Sequence, residues 1–310
     1  MPLSSAEAFA PATVANLGVG FDILGLAVDG AGDSVRAELT DTPGVSIREI
    51  TGDGGKLPRD PLKNTASIAA ASVLKAVNAV QGVALIIHKG LPLASGLGSS
   101  AASAVAGAAA ANAVLGEPLT RDQLLEHALE GEAAVSGYHA DNVAPCLYGG
   151  ITLSYGIKSH EITRLPVPAG LYLALITPRI AVPTAKARAV LPATVPLKTM
   201  VKQTAGVARL ISAIYRGDIA QMAAAMETDS VVEPARSHLI PQIAEARALA
   251  KEAGALALVI SGAGPTLCAV CDHVDAANLT MMAVTALYDD AGIGADSRLG
   301  SVLESGAYVR

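Results

Sequence analysis

Residues 92–103 read PLASGLGSSAAS and lie between an apolar run ending near Lys89 and an alanine-rich segment from Ala101. Gly96 and Gly98 allow positive φ and let a ligand approach the backbone, so this loop can turn peptide N–H groups onto one centre. Such a centre binds an anion, and the positive end of a following helix adds to the attraction. A P-loop would need G-x-x-x-x-G-K-[ST], and no lysine follows either glycine. The run GLGSSA matches G-x-G-x-x-A, but a dinucleotide fold needs its glycines directly after the first strand, and here Gly90 and Pro92 intervene. Glu117, about 20 residues on where the ribose-binding acid would stand, adjoins Pro118 at a helix end. A dinucleotide site is therefore the weaker reading.

The elements that must position this loop can be read from periodicity. AEAFAPATVANLG, VRAELT and VSIREI read as strands, the first broken by Pro11. Asn64–Gln81 has helical spacing and stops at Gly82, and VALIIHK follows as a strand. From Ser99 or Ser100 to Leu115 alanine dominates, which predicts a helix closed by Gly116. A further helix is expected over Thr120–Ser136, followed by a polar cluster, GYHADNVAPCLYGG, in otherwise apolar sequence. The pattern restarts near Leu171 with LYLALIT, a proline-punctuated linker, helices at 199–215 and 240–253, and a buried strand, ALALVISGAGPTLCAV. These predict domains at 1–160 and 161–310, with a soft boundary at 155–165.

With 310 residues, 51% hydrophobic and 16% charged, the chain can build a large core and is not disordered. Only 9 residues are aromatic, so small aliphatic side chains must fill that core. A net charge of −6 without a basic run argues against nucleic acid and anionic membranes as partners, so a phosphate-bearing ligand must be held by local groups. The first 35 residues contain no Lys or Arg, and no stretch reaches the about 18 apolar residues of a membrane span; a cytoplasmic protein is expected. Cys146, Cys268 and Cys271 form no disulfide framework. Cys268 and Cys271 spell C-x-x-C, but on a strand residues three apart face opposite ways, so buried thiols are expected rather than a metal or redox site.

Three stretches together carry a resemblance. PLASGLGSSAA (Pro92 to Ala102) resembles the central ATP loop of the GHMP family of small-molecule kinases, PATVANLGVGFD (Pro11 to Asp22) its N-terminal substrate motif, and SGAGPTLCAV (Ser261 to Val270) its C-terminal glycine motif. The resemblance implies an α+β, two-domain GHMP kinase fold. Its N-terminal domain would be like the second domain of ribosomal protein S5, with a left-handed βαβ crossover, and its C-terminal domain ferredoxin-like, with the site between them. It also implies ATP and Mg²⁺ as cofactors and a small-molecule hydroxyl as acceptor; a homodimer is common in the family. ANLGVGFDILGLAV and HADNVAPCLYGG (His139 to Gly150) are closest to the members acting on L-homoserine. Mevalonate-type or sugar-type kinases are the alternative, and a non-catalytic ligand-sensing relative would lack the glycine loop or the magnesium carboxylate.

A zwitterionic amino alcohol needs guanidinium for its carboxylate, carboxylate for its ammonium, and an amide or imidazole for its hydroxyl. By resemblance, Asn16 and Asp22 hold the amino and hydroxyl end, His139 and Asn142 line the hydroxyl side, and Arg188 and Arg236 clamp the carboxylate. The nucleotide falls to Asn64, Pro92, Ser95, Gly96, Leu97, Gly98, Ser99, Ser100 and Ala101, with Gly262 and Gly264 closing from the C-terminal side. Asn64 equally reads as a helix N-cap. Glu132 with Ser100 is expected to hold the metal; one residue fewer than the family pattern before His139 leaves Glu130 as an alternative. Asn142 and Asp22 would orient the hydroxyl for direct attack on the γ-phosphate. Asp141 is set aside because neighbours in extended chain point apart. Lys89 and Thr184 receive no firm role.

Overall fold

The computed structural model describes residues 4–310. Its first half runs β1 (Ser5–Ala15), β2 (Leu24–Thr40), β3 (Val45–Thr51), α1 (Thr65–Ala76), β4 (Gly82–His88), α2 (Ser99–Val114), α3 (Arg121–Ala133), α4 (Ala140–Tyr148), β5 (Ile151–Ser154) and β6 (Ile162–Leu165). The second half runs β7 (Tyr172–Pro178), α5 (Thr184–Ala189), α6 (Leu197–Arg216), α7 (Ile219–Met226), α8 (Val232–Arg236), α9 (Ile243–Glu252), β8 (Ala257–Ile260), β9 (Leu267–Cys271), α10 (Val274–Asp290), β10 (Ala295–Gly300) and β11 (Tyr308–Val309). The first sheet has the order β11-β1-β2-β4-β3, with β5 on β2 and β6 on β5. Its β3 and β4 run parallel around α1. The second sheet, β10-β7-β9-β8, is antiparallel throughout and has ferredoxin-like order. No helix among the described residues is long and apolar enough to cross a membrane.

Several elements differ from the sequence reading for local reasons. β1 runs through Pro11 because the β1–β2 register shifts between Pro11 and Ala12, so the missing N–H is absorbed at an irregularity. α1 stops at Ala76, before Gln81, where Asn78 turns left-handed. The stretch around SGAGPT is a hairpin turn between β8 and β9, not one strand. The polar cluster after α3 is helical: α4 carries Pro145 within it and is buried at every position but Asn142 and Tyr148. α10 has no counterpart among the expected helices. Cys268 packs in the core shared with the first sheet and Cys271 in the core under the second, as opposite faces of β9 require. Burial pushes these thiols up to about 12 and about 11.

α2 threads the core, buried at every position but Ser100, against β1, β2, α1, α3 and α4. Alanine permits that, since a short side chain lets several elements approach one helix closely. A fully buried ion pair fixes the start of α2 to the sheet. Lys89, at the end of β4, donates to Asp33 of β2, to the Ser99 carbonyl at 2.8 Å and to Ser103 Oγ at 2.7 Å. Asp33 also accepts from Ser103 Oγ at 2.8 Å and from the N–H groups of Gly90 and Leu91 at 3.1 and 3.2 Å. Burial pulls the Lys89 ammonium below its ordinary range while Asp33 opposes the shift. Removing one member of such a pair strands the other in a dry interior. Lys89→Met should therefore lower the unfolding free energy by about 3–5 kcal/mol in urea titrations; a loss below about 1 kcal/mol, the size of a surface pair, would contradict this role.

Candidate active site

A cavity of about 420 Å³ opens between the two halves. The β1–β2 turn, the start of α1, the loop before α2, α3 and the start of α4 line it from one side, and residues 183–188, Arg236 and Gly262 from the other. At the mouth of α2, Gly98 is left-handed (φ +66°) and no side chain caps the helix. A Cβ on Gly98 would sit 1.9 Å from Thr13 Oγ1, and one on Gly96 (φ +82°) would sit 2.4 Å from the Ser261 carbonyl. Glycine is thus required by both conformation and space. With no cap and no acidic residue in the first turn, the first N–H groups of α2 and its positive dipole end are left to a ligand.

The second half holds the loop in shape. Thr266 donates its N–H (3.0 Å) and its hydroxyl (2.6 Å) to the Ser95 carbonyl, and Ser261 Oγ donates to the Gly96 carbonyl at 2.7 Å. Thr13 N–H donates to the Leu97 carbonyl at 3.1 Å, and Ser95 Oγ turns back to the Pro92 carbonyl at 2.8 Å. Ser95, Gly96, Gly98, Ser99 and Ser100 line the cavity, whereas Pro92, Leu97, Ala101 and Gly264 do not form its wall. Gly264 closes the β8–β9 turn by donating to the Ser261 carbonyl at 2.8 Å. Asn64 caps α1, its Oδ1 accepting from Ala66 N–H at 3.1 Å, and also lines the cavity, so its two expected uses coexist spatially.

Opposite the loop, Asn16, Leu17 and Asp22 all have positive φ, a concentration of strain typical of ligand sites. Asn16 Oδ1 accepts from Asp22 N–H at 3.1 Å, and its amide donates to the Gly262 carbonyl at 2.9 Å. Arg188 grips Asp22 with both guanidinium ends, at 3.0 and 2.8 Å. The buried Arg236 donates to the Gly262 carbonyl at 2.9 Å and to the Ala187 carbonyl at 3.1 Å. Both guanidiniums lie over the Phe21 ring, 5.6 and 5.1 Å from its centre. His139 Nδ1 is 3.7 Å from Asp22 Oδ2, and burial, aided by Arg188, pulls its pKa down. Thr13 Oγ1 donates to Asn142 Oδ1 at 2.7 Å, and Thr184 lies on the cavity wall.

Two carboxyls in the cavity are buried. Glu132 accepts from Ser100 Oγ at 3.0 Å through Oε1, while its Oε2 has no partner among the described residues. Burial pushes it up to about 7, opposed by the hydroxyls of Ser100 and Ser136. Glu130 is exposed and lines a separate depression with Tyr138. Asp141 is also raised to about 7, by burial first and then by Asp22. The extended-chain argument against Asp141 fails, since residues 140–148 are helical and both Asp141 and Asn142 reach the cavity. Phe21, Thr13, Ser261, Thr266 and Asp33 were not singled out individually from sequence. Their roles are contacts between distant segments, and only the hydroxyls inside SGAGPT offered a local signal.

The geometry defines a small-molecule phosphotransferase. The model of the GHMP kinases N terminal domain matches residues 64–150, and that of the GHMP kinases C terminal domain matches 210–285. The chain belongs to the GHMP kinases, enzymes that use ATP to phosphorylate small-molecule hydroxyls. It is 47% identical to a homoserine kinase of Arabidopsis thaliana over 86% of this chain and 74% of that one. To a homoserine kinase of Chlorobium phaeovibrioides it is 40% identical over 89% of each. The crystal structure of homoserine kinase from Cytophaga hutchinsonii superposes with a TM-score of 0.95 at 42% identity, covering 100% of this chain and 98% of that one.

Proposed function

We propose that the chain transfers the γ-phosphoryl group of ATP to the side-chain hydroxyl of L-homoserine, giving O-phospho-L-homoserine and ADP. One observation carries this reading: a carboxylate (Asp22) and two guanidiniums (Arg188 and Arg236) share a cavity of about 420 Å³ with the uncapped start of α2. Those groups match an amino acid's two charges, and the helix end matches a triphosphate. Arg188 and Arg236 take the carboxylate, Asp22 and Asn16 the ammonium end, and Asn142 and Asp22 orient the hydroxyl, with His139 beside it. Asn142 is suited to this because Thr13 holds its carbonyl and fixes the amide's direction.

The hydroxyl oxygen forms the new bond to phosphorus as the bond to the bridging oxygen of ADP breaks, and its proton passes to the transferred phosphoryl group. A loose transition state makes a strong side-chain base unnecessary, so alignment and charge neutralisation supply the acceleration. The peptide N–H groups of 96–101 receive phosphate oxygens, and Asn64 meets the adenine. Gly262 approaches from the opposite wall, and the 92–94 and 264–266 segments hold the loop. We propose a cytoplasmic location, in keeping with ATP-dependent biosynthesis of a small metabolite.

The unpartnered Glu132 Oε2 beside Ser100 Oγ fits a hard cation that keeps most of its ligands as water and phosphate oxygen. We therefore assign Mg²⁺ to Glu132 and Ser100, where it would neutralise phosphate charge. The exposure of Glu130 supports that choice.

An ADP-release assay with L-homoserine, L-threonine and mevalonate as separate acceptors should give robust turnover with homoserine alone; turnover with mevalonate but not homoserine would overturn the assignment. Because Glu132 is raised to about 7, the cation must displace its proton below neutrality. Mg·ATP affinity should fall about tenfold per pH unit below that value, and the part of the slope due to Glu132 should vanish in Glu132→Gln. An unchanged slope in the variant would remove Glu132 as the ligand.

A further inference from the structure

Arg188 and Asp22 already satisfy each other. Both guanidinium ends of Arg188 lie on the two oxygens of Asp22, in the cavity and with side chains only 33% and 25% exposed. Asp22 cannot hold an ammonium in full, nor Arg188 a carboxylate, while this two-point contact stands. The helix carrying Arg188 is pinned, because Arg236 Nε donates to the Ala187 carbonyl. The turn carrying Asp22 is pinned as well, through Asn16 to the Gly262 carbonyl. What can give way is the Arg188 side chain, whose Nε has no partner among the described residues.

We infer that the Arg188–Asp22 ion pair is a self-occupied substrate site that selects zwitterions by exchange. This rests on the proposed amino-acid acceptor and concerns how the same site discriminates. A ligand with both charges replaces one internal pair by two intermolecular pairs, its ammonium on Asp22 and its carboxylate on Arg188. A ligand with the carboxylate alone captures Arg188 but strands Asp22 in a partly dry cavity. The nearby His139, 3.7 Å from Asp22, compensates only in part, since burial pulls its imidazole toward the neutral form while Asp22 opposes that shift. A ligand with the ammonium alone strands Arg188 near a second cation, Arg236, whose guanidinium lies over the same Phe21 ring. Single-charge hydroxyl compounds are therefore rejected by the pair they would have to break, a penalty that simple charge matching does not impose.

The test is direct binding by calorimetry with two truncated ligands, 4-hydroxybutanoate, which lacks the ammonium, and 3-aminopropan-1-ol, which lacks the carboxylate. Exchange predicts a gain of binding in the variant that removes the competing partner. Asp22→Asn should bind 4-hydroxybutanoate about fivefold more tightly than the unsubstituted protein, the worth of a partly exposed ion pair. Arg188→Gln should bind 3-aminopropan-1-ol more tightly by a similar factor, while both variants lose affinity for L-homoserine. If each variant binds its truncated ligand no more tightly than the unsubstituted protein does, the exchange is overturned. Phosphorylation of L-homoserine by the unsubstituted protein, measured alongside, separates that failure from a failure of the acceptor assignment.

Discussion

The carbonyls of Ser95 and Gly96 are held by Thr266 and Ser261, and the rest of the site depends on this contact. A trans peptide is planar with its N–H opposite its C=O, so a carbonyl held on one side sends the next N–H to the other. The β8–β9 turn, more than 160 residues away in sequence, thereby sets where the loop before α2 directs its donors. Glycine at Gly96 and Gly98 removes the atoms that would clash with this approach. From below, the buried Lys89–Asp33 pair holds the Ser99 carbonyl and the entry to the loop. The loop is thus shaped by both halves of the chain, and neither half alone would present it.

On the proposed reading, this arrangement is what lets an acidic protein bind a triphosphate. The chain has a net charge of −6 and no basic run. Lys89, the cation nearest the loop in sequence, is engaged by Asp33. Peptide dipoles at the start of α2 supply local positive potential without a mobile charge, and in a partly enclosed cavity they are screened less than surface lysines would be. The same logic governs the carboxyls. Glu132 and Asp141 are both held near neutrality by burial, so each responds strongly to whatever charge enters beside it, whereas the paired Asp22 and Arg188 answer to a ligand's two charges together.

The loop, the alanine-rich helix and the C-x-x-C strand were legible in the sequence because each follows from a local property, glycine at positive φ, alanine in a buried helix or alternation on a strand, whereas Asn16, Asp22, Glu132, His139, Asn142, Arg188 and Arg236 entered only through the resemblance to the GHMP kinases. α4 was not, because Asp141, Asn142 and Pro145 lower helical propensity, and it is its burial against β1, β2, β5, α2 and α3 that makes it a helix. That missed helix led to the misjudgement of Asp141. The hairpin at SGAGPT is hidden by apolar strands on both sides, and Pro11 reads as a break in β1 because a register shift in β2 pairing leaves no mark in β1 itself. The Arg188–Asp22 and Thr266–Ser95 contacts join residues remote in sequence, and no spacing rule within one chain reaches that far.

A crystal structure with a non-hydrolysable ATP analogue and L-homoserine tests the central claim most directly. The triphosphate should lie against the N–H groups of Gly96 to Ala101, with the amino acid between Asp22 and the two arginines and its hydroxyl facing the γ-phosphate. A nucleotide bound elsewhere, with the start of α2 contacting only solvent, would contradict the account.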